Sequence, residues 1–92
     1  MKVNFYATLR PIIGQKTVDF DLPEGITAAQ VLEVIMERYP RIQPELVDEN
    51  GRLHSHIHFF VNGRDAPFLE NKLDTIIKPT DKIDIFPPVG GG

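Results

Sequence analysis

Three histidines at alternate positions near the middle of the chain are the first candidates for chemistry. His54, His56 and His58 would share one face if this stretch were a strand, and imidazole is a common metal ligand. Side chains at positions i and i+2 of an open strand lie about 6–7 Å apart, so three of them converge on one ion only if the strand is distorted. We therefore predict three solvated imidazoles and no metal site.

The carboxyl-terminal end offers a different group, a carboxylate on a segment almost without side chains. Residues 87–92 read Pro-Pro-Val-Gly-Gly-Gly. Two prolines stop a preceding strand and hold the exit extended. Fully extended, residues 88–92 reach about 16 Å. The pattern predicts a folded domain over residues 1–86 and a flexible Gly-Gly tail over residues 87–92, although frayed ends are common in proteins.

Composition excludes several classes of function. The net charge is −3 and the basic residues are not clustered, which is unfavourable for binding nucleic acid or an anionic membrane. Cysteine is absent, so a disulfide framework, a thiolate nucleophile and a cysteine zinc site are all excluded. No apolar run approaches the ~18 residues of a membrane span, and the start does not read as a signal peptide. We expect a cytoplasmic protein without nucleic-acid or membrane partners.

Two alternating segments open the chain. Residues 2–9 and 17–22 alternate apolar and polar side chains, which is typical of half-buried strands. Pro11 and Gly14 lie between them as turn residues. The two segments are predicted to pair as an antiparallel hairpin. The scattered acidic residues are expected to form a solvated face.

One helix is clearly marked. Thr27 is a good N-cap, and Gln30 three residues later completes a capping box. Pro40 should end the helix at about Tyr39. The predicted buried stripe consists of Val31, Leu32, Ile35 and Met36.

The second half of the chain predicts three more strands, over about 56–61, 64–66 and 82–86. A short helical turn is predicted within residues 43–50, and Asn62-Gly63 is predicted to be a turn. The apolar residues of the irregular connection are expected to anchor it; they are Phe68, Leu69, Leu73 and Ile77. The order β-β-α-β-β-β predicts an α+β domain of the β-grasp type, a mixed sheet with one main helix packed on one face. A ferredoxin-like fold is the alternative, but it requires a second full helix.

Three aromatic residues are predicted to point away from the helix, onto the open face of the sheet. These are Tyr6, Phe60 and Phe86, one on each of three strands. Contiguous exposed aromatic side chains are typical of protein interfaces. We therefore predict a partner interface there.

The element order and the glycine end together resemble the MoaD/ThiS family of ubiquitin-like sulfur carrier proteins. The resemblance covers nearly the whole chain, with Thr80 where the family commonly has glycine. Its motifs are Thr8-Leu9-Arg10, Arg38-Tyr39-Pro40, Phe60-Val61-Asn62-Gly63, Leu73-Asp74-Thr75, Thr80-Asp81-Lys82-Ile83 and the Pro-Pro-Val-Gly-Gly-Gly end. Residues 8–11 and 51–54 look like the carriers that feed cysteine synthesis, whereas the proline pair at 87–88 looks like the small subunit of molybdopterin synthase.

The resemblance implies a function for the tail. An E1-like adenylyltransferase would use ATP to activate the carboxylate of Gly92, and a sulfur donor would then convert it to a thiocarboxylate. Pro88, Val89, Gly90 and Gly91 would thread the active site of the partner, where a Cβ on the last residues would crowd the passage. The sulfur acceptor would be the large subunit of molybdopterin synthase or a cysteine-synthase-like enzyme. On this interpretation the chain is a substrate rather than an enzyme and binds no cofactor itself.

Two other functions stay open on the sequence. The same tail and the same activation would serve a ubiquitin-like modifier that is conjugated to lysines of target proteins. A plain interaction domain with an inert tail is the second alternative.

Overall fold

The computed structural model describes residues 1–87 and contains one mixed sheet. Its strands are β1 (Lys2–Phe5), β2 (Thr17–Asp19), β3 (His58–Val61), β4 (Arg64–Asp65) and β5 (Ile83–Phe86). Their order across the sheet is β2-β1-β5-β3-β4, with β1 parallel to β5 and the other pairs antiparallel. The first and last strands of the described chain therefore lie side by side at the centre of the sheet.

Three α-helices accompany the sheet, and only one of them is long. They are α1 (Leu9–Ile13), α2 (Ala28–Arg38) and α3 (Gln43–Leu46), with short 3₁₀ turns at Pro40–Ile42, Ala66–Phe68 and Lys72–Asp74. A four-residue α3 is too short for the second helix of a ferredoxin-like fold. The predicted α+β class and β-grasp arrangement are confirmed. Within residues 1–87, no helix is long and apolar enough to cross a membrane.

The core lies between α2 and one face of the sheet. The predicted inward residues of β3 and β5 are buried, including Phe59, Ile83 and Ile85. The helix contributes Ala28, Val31, Leu32 and Ile35, while Met36 is only partly buried against the core. Burial of one helix stripe and of alternate strand residues is what joins these elements into a single domain.

The segment after β1 is a helix and not the predicted turn. The strand ends at Phe5, and Ala7 takes a positive φ of 50° before α1 begins at Leu9. Pro11 fits there because it stands in the first turn, where its missing N–H has no partner to lose. Gly14 ends the helix in the left-handed region and its N–H donates to the Arg10 carbonyl at 2.8 Å.

Three further expectations need correction. The predicted strand over residues 17–22 ends at Asp19, and the one predicted over residues 56–61 begins only at His58. Phe68 does not anchor the connection between β4 and β5, because 73% of its surface is exposed. Ile77 is buried there, and Leu69 and Leu73 pack partly against the core.

The predicted capping box at the start of α2 is present. The Thr27 hydroxyl accepts from the Gln30 backbone N–H at 3.2 Å, and the Gln30 side-chain oxygen accepts from the Thr27 N–H at 2.9 Å. We expect Thr27→Ala to lower the free energy of unfolding by about 1 kcal/mol, measured by urea denaturation. Thr80→Ala, at an exposed turn residue, is the control and should be milder. Equal effects would show that the cap does not stabilise the helix.

Candidate functional site

The face of the sheet opposite the core carries the predicted interface residues. Cα pairing places Asn4 beside Asp84, Asp84 beside Phe60, and Phe86 beside His58. These side chains alternate with the buried ones along their strands, so the pleat directs them away from the core. The central strand β5 therefore presents Asp84 and then Phe86 on this open face.

Tyr6, Phe60 and Phe86 form one contiguous group, which we call the aromatic cluster. The rings of Tyr6 and Phe86 stack with centroids 4.0 Å apart and planes 11° apart. Phe60 meets Phe86 edge to face, with centroids 5.4 Å apart and an interplanar angle of 85°. All three side chains are half-buried. The structure brings the three residues together, and their role as a partner interface stays a prediction.

A polar network that the sequence patterns do not predict lies beside this cluster. Asp84 is one of the scattered acidic residues that the sequence predicts to be solvated, yet it is only 7% exposed. Its Oδ1 accepts from the Tyr6 hydroxyl at 2.8 Å and from Asn4 Nδ2 at 2.9 Å. Asn4 Oδ1 in turn accepts from the Thr17 hydroxyl at 2.6 Å. We call these four residues the Asp84 network; its one sequence signal was a carboxylate between Ile83 and Ile85 in an otherwise apolar strand.

Among the described residues, Asp84 forms one ion pair within 4.0 Å, and it is a long one. Lys82 Nζ lies 3.9 Å from Asp84 Oδ2, and the lysine side chain is largely exposed. The pair contributes little, because the separation is long and water screens the exposed lysine end. The neutral donors Tyr6 and Asn4 therefore provide the main contacts of the Asp84 carboxylate.

The Tyr6 phenol should titrate at unusually high pH. The hydrogen bond it donates to Asp84 raises the pKa of Tyr6 above its ordinary value of 10.0, and burial and the negative charge of Asp84 act in the same direction. The interaction therefore stabilises the fold below about pH 10 and is lost as the pH rises through the raised pKa. We expect Asp84→Asn to lower this pKa, measured by ultraviolet absorbance in a Tyr39→Phe background that leaves one tyrosine. An unchanged titration would contradict the contact.

The residues just before β5 are held by the turn between β3 and β4. Asn62 and Gly63 both take positive φ, 52° and 84°, as a two-residue type I′ turn requires. The predicted turn is confirmed, and Asn62 does more than turn the chain. Its side-chain oxygen accepts from the Lys82 N–H at 2.8 Å, and its amide donates to Asp81 Oδ1 at 2.9 Å. These bonds fix the residues just before β5, the strand that carries Asp84 and Phe86.

The three histidines do not share a strand face. Only His58 lies in β3, where its Nδ1 is 2.7 Å from Asp65 Oδ2. His54 and His56 precede the strand and stack on each other with ring centroids 5.0 Å apart, and His54 Nε2 donates to the Pro44 carbonyl. In the part of the chain that the structure describes, no three His, Cys, Asp or Glu residues are grouped to hold a metal ion.

The aromatic cluster adjoins the start of the tail. Phe86 is the last residue of β5, and the buried Pro87 follows it without an N–H to continue the strand. The predicted tail residues Pro88, Val89, Gly90, Gly91 and Gly92 lie outside the described residues. Their roles, like the boundary between residues 86 and 87, stay predictions.

Comparison with known proteins identifies the family. The model of the ThiS family matches residues 3–92. This chain belongs to the ThiS family. The match includes the glycine end as well as the sheet and helix described above, so the predicted resemblance is confirmed over almost the whole length.

Individual relatives of this ThiS-family chain carry two kinds of name. Small archaeal modifier protein 3 of Haloferax volcanii is 29% identical over 92 residues, covering 100% of this chain and 98% of the relative. A protein of Archaeoglobus fulgidus, described by its name as a sulfur carrier, is 29% identical over 80 residues, covering 87% and 89%. The structure of the BexX/CysO complex of Amycolatopsis orientalis contains a chain that is 30% identical, with a TM-score of 0.80 and coverage of 99% and 98%. The first two names are those of a modifier and a carrier, in agreement with the expectation that the chain is not an enzyme.

Proposed function

We propose that this chain is a ubiquitin-like carrier protein whose Gly92 carboxylate is activated by an E1-like adenylyltransferase and converted to a thiocarboxylate. The observation that carries the proposal is the ThiS-family match, which extends through Gly92. The name of the Archaeoglobus relative supports sulfur as the cargo. The chain would bind no cofactor itself, because the partner uses the ATP, and it would act in the cytoplasm.

Activation is needed because a carboxylate is a poor electrophile. The partner would join the Gly92 carboxylate to the α-phosphate of ATP, releasing pyrophosphate and forming an acyl-adenylate. Sulfide, as HS⁻, would then attack the carbonyl carbon, AMP would leave with the bonding electron pair, and the resulting thioacid would lose its proton to become a thiocarboxylate. Pro88, Val89, Gly90 and Gly91 would carry that carbon into the active site of the partner.

The aromatic cluster would dock the body of the carrier while the tail is inside the partner. Phe86 is separated from residues 88–92 only by Pro87, and those five residues span about 16 Å when extended. If a partner binds the cluster at the mouth of a pocket of about that depth, the tail is therefore long enough to reach the bottom of the pocket. Clustered aromatic side chains often supply most of the binding energy of an interface.

A protein modifier is the second candidate, favoured by the name of the Haloferax relative. Activation would be the same, but a lysine ε-amine of a target protein would displace AMP and form an isopeptide bond. The BexX/CysO structure, in which a chain similar to this one forms part of a complex, supports binding of this chain by a partner protein. For this chain, the large subunit of molybdopterin synthase and a cysteine-synthase-like enzyme are the proposed sulfur acceptors.

The absence of cysteine allows a specific test for the thiocarboxylate. We would incubate the purified chain with its cognate E1-like enzyme and sulfide, with and without ATP, and measure the intact mass. A carrier should gain, only with ATP, the mass difference between sulfur and oxygen, and it should then react with a thiol alkylating reagent. Because the chain contains no cysteine, that alkylation reports the thiocarboxylate alone.

Detection of conjugates in cells distinguishes the carrier from the modifier. Trypsin cleaves after lysine and arginine, and the last basic residue of this chain is Lys82, so a modifier should leave residues 83–92 attached to lysines of other proteins, whereas a dedicated carrier should leave no such branch. If neither a mass gain nor conjugates were observed, activation itself would be contradicted. That result would favour an interaction domain with an inert tail.

A further inference from the structure

Tyr6 belongs to both the aromatic cluster and the Asp84 network. Its hydroxyl donates to Asp84 Oδ1 at 2.8 Å, while its ring stacks on Phe86 with centroids 4.0 Å apart. A tyrosine side chain has two torsions, and a hydrogen bond at its far end restricts both of them. The orientation of this half-exposed ring therefore depends on Asp84 as well as on Phe86.

Asp84 is itself held firmly enough to orient another side chain. It lies on β5, the central strand of the sheet, and is only 7% exposed. Asn4 Nδ2 donates to the same Oδ1 at 2.9 Å, and the Thr17 hydroxyl holds the other end of Asn4 at 2.6 Å. A buried carboxylate with donors from two neighbouring positions keeps its place, because losing either hydrogen bond would leave it poorly solvated.

We propose that Asp84 is a positioning residue of the docking surface, which holds the Tyr6 ring against Phe86 before any partner arrives. This inference rests on the proposed docking role of the aromatic cluster. When the ring is already ordered, its immobilisation costs no conformational entropy on binding. For one side chain this difference corresponds to about two- to tenfold in affinity. Asp84 thus promotes docking through Tyr6, without touching the partner.

The first arm of the test examines the free protein by NMR. Asp84→Asn keeps a side-chain oxygen that can accept from Tyr6, whereas Asp84→Val keeps a strand-forming side chain and removes the acceptor. Ring-to-ring nuclear Overhauser contacts between positions 6 and 86 should persist in Asp84→Asn and weaken in Asp84→Val. Tyr6→Phe breaks the same hydrogen bond from its other side and should weaken them too, which keeps the test decisive if Asp84→Val fails to fold. Undiminished contacts in the variants that fold without the bond would overturn the proposal.

The second arm measures affinity for the E1-like enzyme in a double-mutant cycle. Asp84→Val and Tyr6→Phe should each weaken binding about two- to tenfold, and the double variant should be no weaker than the worse single one, because both remove one interaction. Asp84→Asn should bind nearly as the wild type does. If Asp84→Asn binds as weakly as Asp84→Val, the charge of Asp84 contacts the partner directly and the positioning role is wrong.

Phe60→Ala separates this inference from the docking proposal. Phe60 belongs to the cluster but makes no side-chain hydrogen bond, so its truncation tests the surface and leaves the bond between Tyr6 and Asp84 intact. If Phe60→Ala binds the enzyme normally, the cluster is not the docking surface, and a docking role for Asp84 is overturned with it. In another outcome, Phe60→Ala weakens binding but substitution of Asp84 leaves the ring contacts between positions 6 and 86 unchanged. The docking surface would then be supported, and only the positioning role of Asp84 would be wrong.

Discussion

Phe59→Ala is expected to lower the free energy of unfolding by about 3–5 kcal/mol, whereas Phe60→Ala one residue later should lower it by only about 1 kcal/mol. Phe59 is 0% exposed in the core, and its removal leaves a cavity against α2 and the sheet. Phe60 is half-exposed on the opposite face and loses mainly its edge contact with Phe86. A domain of this size is commonly stable by about 5–15 kcal/mol, so the first loss is a large share of the total.

Binding should rank the two variants the other way. Among variants that remain folded, Phe60→Ala should weaken binding to the E1-like enzyme by about 2 kcal/mol or more, roughly thirtyfold. Phe59→Ala should bind normally wherever it is still folded, because its side chain does not reach the surface. Urea unfolding and calorimetric titration of the same preparations provide the two measurements.

Phe68→Ala is the matched control, because it makes the same truncation at a phenylalanine that is 73% exposed and outside the cluster. It should change neither stability nor binding. If Phe60→Ala unfolds the protein as severely as Phe59→Ala, the open face is part of the core and the docking surface does not exist. If Phe68→Ala reduces binding as much as Phe60→Ala, the partner does not distinguish the cluster from other exposed aromatic rings.

Deleting Gly91 and Gly92 is expected to abolish sulfur loading. The shortened chain still ends in a carboxylate, but that group falls about 7 Å short of its former reach. Reacting atoms must approach to about 3–3.5 Å, so a shortfall of this size prevents both adenylation and attack by the sulfur donor. The measurement is the ATP-dependent mass gain at equal enzyme concentration.

Stability and docking should survive the deletion. The buried apolar side chains of residues 1–87 run from Val3 to Ile85 and make up the core, so the unfolding midpoint should stay almost unchanged. A full-length chain with a carboxyl-terminal amide is the matched control, because it keeps the length and removes only the reactive group. It should dock normally and fail to load. Unreduced loading of the deleted chain would place the reactive group elsewhere than Gly92.

The fold class could be predicted from the sequence because local patterns and the global fold agree. The capping box at Thr27 and Gln30 is satisfied within four residues, so it needs no tertiary information. The alternation that buries Phe59 and exposes Phe60 follows from the pleat of a strand. The Asn62-Gly63 turn follows from the positive φ that both residues tolerate.

The errors fall where tertiary contacts outweigh local signals. Pro11 and Gly14 are turn residues by preference, yet burial of Leu9 and Ile13 one helical turn apart makes the same segment a short helix. The irregular connection after β4 has no periodicity that could show which of its apolar residues face the core. Phe68 is exposed and Ile77 is buried. Which residues of this segment face the core is determined only in the completed fold.

The candidate site divides in the same way. By itself, the sequence determined that Tyr6, Phe60 and Phe86 share the outer face, because side-chain direction alternates along each strand. Only the tertiary structure decided that these rings touch and that Asp84 is buried among hydrogen-bond donors. Those facts depend on the pairing of β1 and β3 with β5, which brings together residues about eighty positions apart, such as Asn4 and Asp84. Strand register between such distant segments is set by packing of the whole core, and no local pattern encodes it.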